Sequence, residues 1–336
     1  MEVKAERSKF KRQNSKSLFF VFGLVFGWGL FALPFFFQKQ ADGSGTATPV
    51  FGYKIIKVFP HDPEAFTQGL VFHQRALYEG TGLSGKSTLR KVDPETGRIL
   101  KMVQLPDQYF GEGITLWEDK IIQLTWRSGI GLVYDRETFR LLKRFNFFTE
   151  GWGITQDGKQ LIMSDGTSFL YFWDPHSYKE IKRIQVHDRG IPVTGLNELE
   201  YIKPSCPIRD VKPLAGRAVR LCRTMKRHPS DAVCRPNKEA WEYKPDMKIG
   251  SLSDRRYFQT EGEVFANVYP TDRIVRISPQ TGQVTGWIDL RGLLPAKDQA
   301  RPVDALNGIA YDARKDRILV TGKYWPNMFE IRLIPR

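Results

Sequence analysis

Glu112 is the residue of this chain best placed by its neighbours to move a proton. It stands in Phe110-Gly111-Glu112-Gly113-Ile114-Thr115-Leu116, between glycines that let a ligand or another backbone approach closely. Four more residues hold the same place ahead of a short apolar run: Gln68, Trp152, Asn197 and Asn307. The set offers one carboxylate for acid–base work, three neutral amides suited to an amide or carbonyl ligand, and one indole. A carboxylate held near Trp126, Trp152, Phe66 and Phe110 would be partly desolvated, a setting that suits proton transfer. The spacings within the set are 44, 40, 45 and 110 residues. A period of about 40–45 residues in a strand-rich chain is the signature of propeller blades. The last spacing is more than one period too long, which places an insertion ahead of Asn307.

A second apolar run follows each of the first: Leu77-Tyr78-Glu79-Gly80, Ile121-Ile122-Gln123-Leu124, Leu161-Ile162-Met163-Ser164, Val264-Phe265-Ala266-Asn267 and Ile318-Leu319-Val320-Thr321. Turn residues precede three of them, Glu118-Asp119-Lys120, Gln156-Asp157-Gly158 and Ala313-Arg314-Lys315-Asp316, which is a hairpin pattern. Antiparallel pairing puts the start of one strand beside the end of the other. The ends read as Gly82, Trp126, Gly166, Tyr269 and Lys323, so both sets should converge at one mouth of a central channel. On pattern alone Trp126 and Trp152 pack blades, Lys323 is a solvated loop lysine, and Asn307 ties the fifth blade to its neighbour.

Further turns recur at Asp93-Pro94-Glu95-Thr96-Gly97, Asp135-Arg136-Glu137-Thr138, Asp174-Pro175-His176-Ser177 and Ser278-Pro279-Gln280-Thr281-Gly282, each joining a third strand to an outer one. The last repeat runs out at Phe329-Glu330-Ile331-Arg332-Leu333, one strand short of four. The strand at 51–59 can supply the missing one and close the ring, which protects the sheet edges. The expected fold is all-β: a five-bladed β-propeller over residues 51–336, closed by its N-terminal strand, with an insertion at 203–260 in blade four.

Charge divides the chain further. The formal net charge is +14, of which residues 1–17 carry +4 and residues 203–257 carry +8. The body of the fold is therefore nearly neutral, and the high pI does not signal nucleic acid. Leu18 to Phe37 is twenty uncharged residues, long enough to cross a bilayer. Six Lys and Arg residues precede it, which keeps the N-terminus in the cytoplasm and the large domain on the other side. An uncleaved anchor is the reading; cleavage near Ala41 or Ala47 would release a secreted protein. Residues 38–50 read as a linker. Cys206, Cys222 and Cys234 all lie in the insertion. Their spacing does not resemble a zinc site, and no disulfide pairing can be read from it. The five histidines show no metal-ligand spacing, and there is no Gly-x-Ser-x-Gly elbow or phosphate loop. No metal or other cofactor is expected.

Several long motifs stand in order along the chain. They are Pro60-His61-Asp62-Pro63-Glu64-Ala65-Phe66-Thr67-Gln68-Gly69-Leu70, Tyr109-Phe110-Gly111-Glu112-Gly113, Asp165-Gly166-Thr167-Ser168, Leu196-Asn197-Glu198-Leu199-Glu200-Tyr201 and Val320-Thr321-Gly322-Lys323-Tyr324-Trp325-Pro326. Together they resemble the plant and bacterial type of glutaminyl-peptide cyclotransferase over about 53–202 and 258–334. The resemblance implies a five-bladed propeller that converts N-terminal glutamine to pyroglutamate with release of ammonia. It implies Glu112 as the proton-transfer carboxylate, and Phe66, Gln68, Trp126, Trp152, Asn197 and Lys323 as residues lining the pocket. Where the family usually has Asn-x-Trp-Gln-Thr-Asp, this chain has Asn267-Val268-Tyr269-Pro270-Thr271-Asp272. Tyr269 keeps an aromatic ring at that wall but loses the indole donor. The implied partners are peptides or proteins with N-terminal glutamine, and the implied state is a monomer. The rival readings are a non-enzymatic propeller that binds peptide ends or glycans at the same mouth, and a calcium-dependent lactonase. The latter needs several acidic ligands, where the aligned set has one.

Overall fold

The computed structural model describes residues 47–203, 262–299 and 302–336. The expected membrane anchor, the linker up to residue 46, and the insertion with its three cysteines lie outside the described residues. Among the described residues no helix is long and apolar enough to cross a membrane. What is described is all-β, with one short 3-10 turn at Ala296–Gln299.

The strands come in runs of four. After β1 (Val50–Pro60), a first antiparallel sheet holds β2 (Thr67–His73), β3 (Ala76–Thr81), β4 (Thr88–Val92) and β5 (Ile99–Gln104). A second holds β6 (Gly111–Trp117), β7 (Lys120–Thr125), β8 (Ile130–Asp135) and β9 (Leu141–Asn146). A third holds β10 (Ile154–Gln156), β11 (Leu161–Ser164), β12 (Phe169–Trp173) and β13 (Glu180–Gln185). A two-stranded ribbon, β14 (His187–Asp188) and β15 (Ile191–Pro192), leads out of it. The fourth run is β16 (Leu196–Ile202), β17 (Glu263–Val268), β18 (Arg273–Ile277) and β19 (Val284–Asp289). The last is β20 (Leu306–Asp312), β21 (Arg317–Gly322) and β22 (Asn327–Pro335), with β1 antiparallel to β22 as its fourth strand. β1 also meets β19 in parallel through Val50 and Phe51, which fuses the last two runs into one sheet of eight.

The first strand of each run packs against the first strand of the next: β2 on β6, β6 on β10, β10 on β16, β16 on β20, and β20 on β2. The circuit closes. These strands lie in backbone contact, and that explains the glycine after Gln68, Glu112 and Trp152. A Cβ on Gly69 would sit 2.4 Å from Ile114 N, and one on Gly153 2.0 Å from Asn197 O. Outer strands face water and show it: β9, Leu141-Leu142-Lys143-Arg144-Phe145-Asn146, buries only Phe145.

The outer turns use Asx chemistry. Asp93 Oδ1 accepts from Glu95 N, Asp135 Oδ1 from Thr138 N, and Asp174 Oδ1 from Ser177 N. Gly97 and Gly282 take the left-handed residue of their turns, but Phe139 and Tyr178 take the equivalent place with φ of 59° and 58°. Both rings are buried, and that burial offsets the backbone strain. Between β16 and β17, Tyr201 pairs with Val264 and Ile202 with Glu263. The chain leaves and re-enters this hairpin at the end away from Asn197 and Tyr269.

Candidate functional site

Gln68, Glu112, Asn197 and Asn307 are each the second residue of a first strand, on β2, β6, β16 and β20. Trp152 lies two residues ahead of β10. The second strands stop slightly earlier than expected, at Thr81, Thr125, Ser164, Val268 and Gly322, so Trp126, Tyr269 and Lys323 are the residues just past the strands. That matters for their direction, since a residue leaving the ladder can turn over the mouth. Gln68 is 1%, Glu112 2%, Asn197 3% and Lys323 1% exposed. The reading of Lys323 as a solvated loop lysine is thereby corrected. The lysine follows a strand whose last four residues are buried, and its ammonium lies against two rings. Its Nζ lies 4.7 Å from the Phe66 ring centre and 5.4 Å from that of Tyr269.

The aromatic residues form a closed circuit around the mouth. Phe66 meets Phe110 edge-on at 6.1 Å, and Phe110 meets Trp126 at 5.4 Å. Trp126 and Trp152 both donate their indole N–H to one carboxylate oxygen, Glu150 Oε2, at 2.7 and 2.9 Å. Trp152 meets Tyr269 edge-on at 6.0 Å, and Lys323 joins Tyr269 back to Phe66. Trp126 and Trp152 thus meet at one carboxylate, between Phe110 on one side and Tyr269 on the other. The small residues of the second set acquire a reason. A Cβ on Gly82 would strike the Phe110 ring at 2.5 Å, and one on Gly166 the Trp152 indole at 2.7 Å.

Three contributors are not among the leading or ending residues of the repeat. Glu150 lies two residues before Trp152, outside both aligned sets. Tyr324 packs on Phe66 at 5.2 Å. Asn267, at the mouth end of β17, accepts from Gly308 N through Oδ1 at 3.0 Å; in the sequence it ends its apolar run, aligned with Ser164 and Thr321, and opens the Asn267-Val268-Tyr269 motif. Asn307 behaves as expected: Nδ2 donates to Thr67 O at 3.0 Å and Gln68 Oε1 at 3.2 Å. Gln68 Nε2, Asn197 Oδ1, Asn267 Nδ2 and Asn307 Oδ1 are buried without a hydrogen-bond partner among the described residues. Buried polar atoms cost free energy unless matched. Two donors and two acceptors of this kind fit a ligand that has both, such as an amide.

On the same inner strands lies a pair of acids. Glu198 stands where three of the other repeats, and Asn307-Gly308, have glycine. Its carboxyl crosses to the neighbouring strands, accepting from Leu70 N at 3.2 Å and Ile309 N at 2.8 Å. Glu200 accepts from Tyr311 N at 2.9 Å. Burial, with the like charge of Glu200 beside it, holds Glu198 well above the usual carboxylate range. Burial also raises Glu200, to about 8. Among the described residues no group of three or more His, Cys, Asp or Glu is arranged to hold a metal ion.

Comparison with known proteins bears on this geometry. The family model for glutamine cyclotransferase matches residues 30–206 and 246–333. The chain is 36% identical over 319 residues to the glutaminyl-peptide cyclotransferase of Arabidopsis thaliana, covering 93% of this chain and 80% of that one. Its structure is similar to the crystal structure of Myxococcus xanthus glutaminyl cyclase, with a TM-score of 0.63, 28% identity, and coverage of 86% of this chain and 99% of that one.

Proposed function

Since the chain belongs to the glutamine cyclotransferase family, we propose that it cyclises N-terminal glutamine of peptides and proteins to pyroglutamate, releasing ammonia, at the mouth ringed by Phe66, Phe110, Trp126, Trp152 and Tyr269. The observation that carries this reading is a carboxylate, Glu112, buried at one mouth together with a buried lysine and orphaned amide groups. A merely binding propeller has no need of that combination.

The α-amine and the γ-amide belong to one residue, so attack is intramolecular, and holding the side chain curled supplies the proximity advantage. The amine nitrogen adds to the γ-carbonyl carbon, forming the ring bond. Glu112 takes the proton that this nitrogen loses. The carbonyl oxygen becomes an oxyanion, stabilised by the Lys323 ammonium with help from Asn197. Glu112 then hands its proton to the departing nitrogen, the old C–N bond breaks, and ammonia leaves. Protons balance, and no cofactor is needed. Gln68 and Asn197 orient the γ-amide; Trp126, Trp152, Phe66 and Tyr269 wall the side chain away from water.

In this reading the five runs of strands are the blades of a five-bladed propeller, which the closed circuit of inner strands supports. Residues 18–37 anchor the protein, with residues 1–17 cytoplasmic and the domain in the secretory lumen or periplasm; cleavage of that segment would instead yield a secreted monomer. Ammonia release from the full chain on a Gln-peptide, and none on the same peptide with a blocked α-amine, tests the activity. Binding of both peptides without release from either would favour the binding-only propeller.

A further inference from the structure

The chain meets itself where its first and last runs of strands join. There the loop 61–66 and the loop 322–326 are laced together. His61 N donates to Pro326 O at 2.9 Å, and Tyr324 N donates to Ala65 O at 2.8 Å. The two loops carry Phe66 and Lys323, which are in contact, the ammonium 4.7 Å from the ring centre. The side chain of His61 makes the third stitch. Its Nδ1 lies 2.6 Å from Trp325 O, and its Nε2 lies 3.0 Å from Glu79 Oε1 and 3.4 Å from Thr67 Oγ1.

The protonation of this imidazole follows from its partners. A carbonyl oxygen only accepts, so Nδ1 carries a proton. Glu79 Oε1 already accepts from Thr67 Oγ1 at 2.8 Å. A neutral Nε2 would point a lone pair at that carboxylate. Arg90 Nη1 stands 3.8 Å from Glu79 Oε2 and donates to Asp62 Oδ2 at 2.7 Å. The charged groups facing His61 are therefore Glu79 from β3, Arg90 from β4 and Asp62 from its own loop. With His61 protonated, two cations meet two anions and the cluster is neutral. Without that proton a net negative charge is left beside two side chains that are 7% and 3% exposed. Burial alone would lower the pKa of His61, but the charge and hydrogen bond of Glu79 outweigh it and hold the imidazole above its usual range.

We propose that His61 is a positioning residue for the cyclisation: a buried imidazolium that pins the loop bearing Lys323 to the loop bearing Phe66. It touches no reacting atom. The ion pair with Glu79 fixes the ring, and the ring fixes Trp325 O, two residues beyond Lys323. This inference rests on the cyclotransferase reading for its kinetic part, whereas its charge state does not depend on any activity.

The test uses the full chain in two arms. In the first, His73, His176, His187 and His228 are replaced by Asn, and ring 15N shifts are read between pH 6 and 9. His61 is the one imidazole left, and it should keep two protonated nitrogens to higher pH than a free histidine does. A single-proton tautomer at pH 7 overturns the proposal, whether or not the protein turns over Gln-peptides. In the second, kcat and KM for a Gln-peptide are measured against pH in the wild type and in Glu79→Gln. The alkaline limb of kcat should move to lower pH in Glu79→Gln, because the anion that holds the proton is gone. His61→Gln should lower kcat by about 10–100-fold, as expected for a misplaced catalytic group, with KM changed far less. A limb that stays in place in a folded Glu79→Gln, or unchanged kcat in a folded His61→Gln, overturns it. If neither variant folds, the 15N arm decides alone.

Discussion

At the seam, Glu79 is buried beside His61; on the inner circuit, Glu198 is buried beside Glu200. The three acids are as deeply covered as core side chains, yet the two places resolve the cost of burial in opposite ways. Burial alone would raise Glu79, but His61, Arg90 and the Thr67 hydroxyl outweigh it and hold the carboxyl below the usual range. Glu198 meets backbone N–H groups and a second acid, so burial wins and the proton stays. The lesson is that partner charge, not depth, sets the charge state. A carboxylate that must stay ionised needs a cation nearby, and one that serves as a neutral strut between strands does not.

The largest effect tests a fourth buried acid, Glu112, whose proposed task requires exchange of a proton rather than a fixed state. Glu112→Gln should keep the fold and lose about 10²–10⁴-fold in kcat for ammonia release. Near-wild-type turnover in a folded variant would remove Glu112 from the mechanism.

The next effect sharpens the inner pair. A carboxyl whose folded pKa is raised stabilises the fold below its unfolded pKa and loses that contribution as pH rises through the folded value. For Glu200 the window runs from the ordinary carboxylate range up to about 8. The loss is on the order of 3 kcal/mol between pH 5 and pH 9. Glu200→Gln, which cannot ionise, should melt like the wild type at pH 5 and higher than it at pH 9. The seam has the reverse dependence on its acid side. His61, raised, loses its contribution as pH rises through its folded value, and Glu79, lowered, loses its own as pH falls through its folded value. Equal melting of Glu200→Gln and the wild type at pH 9 would mean that water reaches the inner pair.

A smaller effect concerns Glu150, a half-exposed carboxylate with neutral donors on one oxygen and Arg127 Nε 3.2 Å from the other. Glu150→Gln should leave melting nearly unchanged and raise KM by about threefold to tenfold, the scale of a lost charged hydrogen bond that positions a wall. A fall in kcat with constant KM would instead place it in the chemistry.

The smallest effect is expected for the insertion. Residues 207–245 fall outside the family match, and the β16–β17 hairpin opens at the end away from the site. Replacing residues 203–260 with a short Asn-Gly turn should leave turnover within about twofold, since lengthening a loop costs only about 0.6 kcal/mol per doubling. Loss of Gln-peptide binding in the shortened protein would make the insertion part of the site.

Much of the fold is legible in the amino-acid sequence by itself. The repeat of one leading residue, one glycine and an apolar run marks the strands, their hairpins and the ends that meet, because backbone contact between inner strands admits no Cβ at Gly69, Gly113 or Gly153. The same repeat brings out Gln68, Glu112, Trp152 and Asn197, and the missing last strand announces β1. Even Glu198 is visible as the one break in the glycine column, though not its purpose. What the sequence leaves undetermined is set by neighbours far along the chain. Lys323 is a buried cation because Phe66 and Tyr269, from other runs of strands, cover it. Glu150 gains its role only where two indoles 26 residues apart turn toward one oxygen. His61 and Glu198 differ in charge for the same reason: periodicity records which side chains are covered, whereas the charge of a covered group depends on what covers it, and only the closed ring brings those groups together.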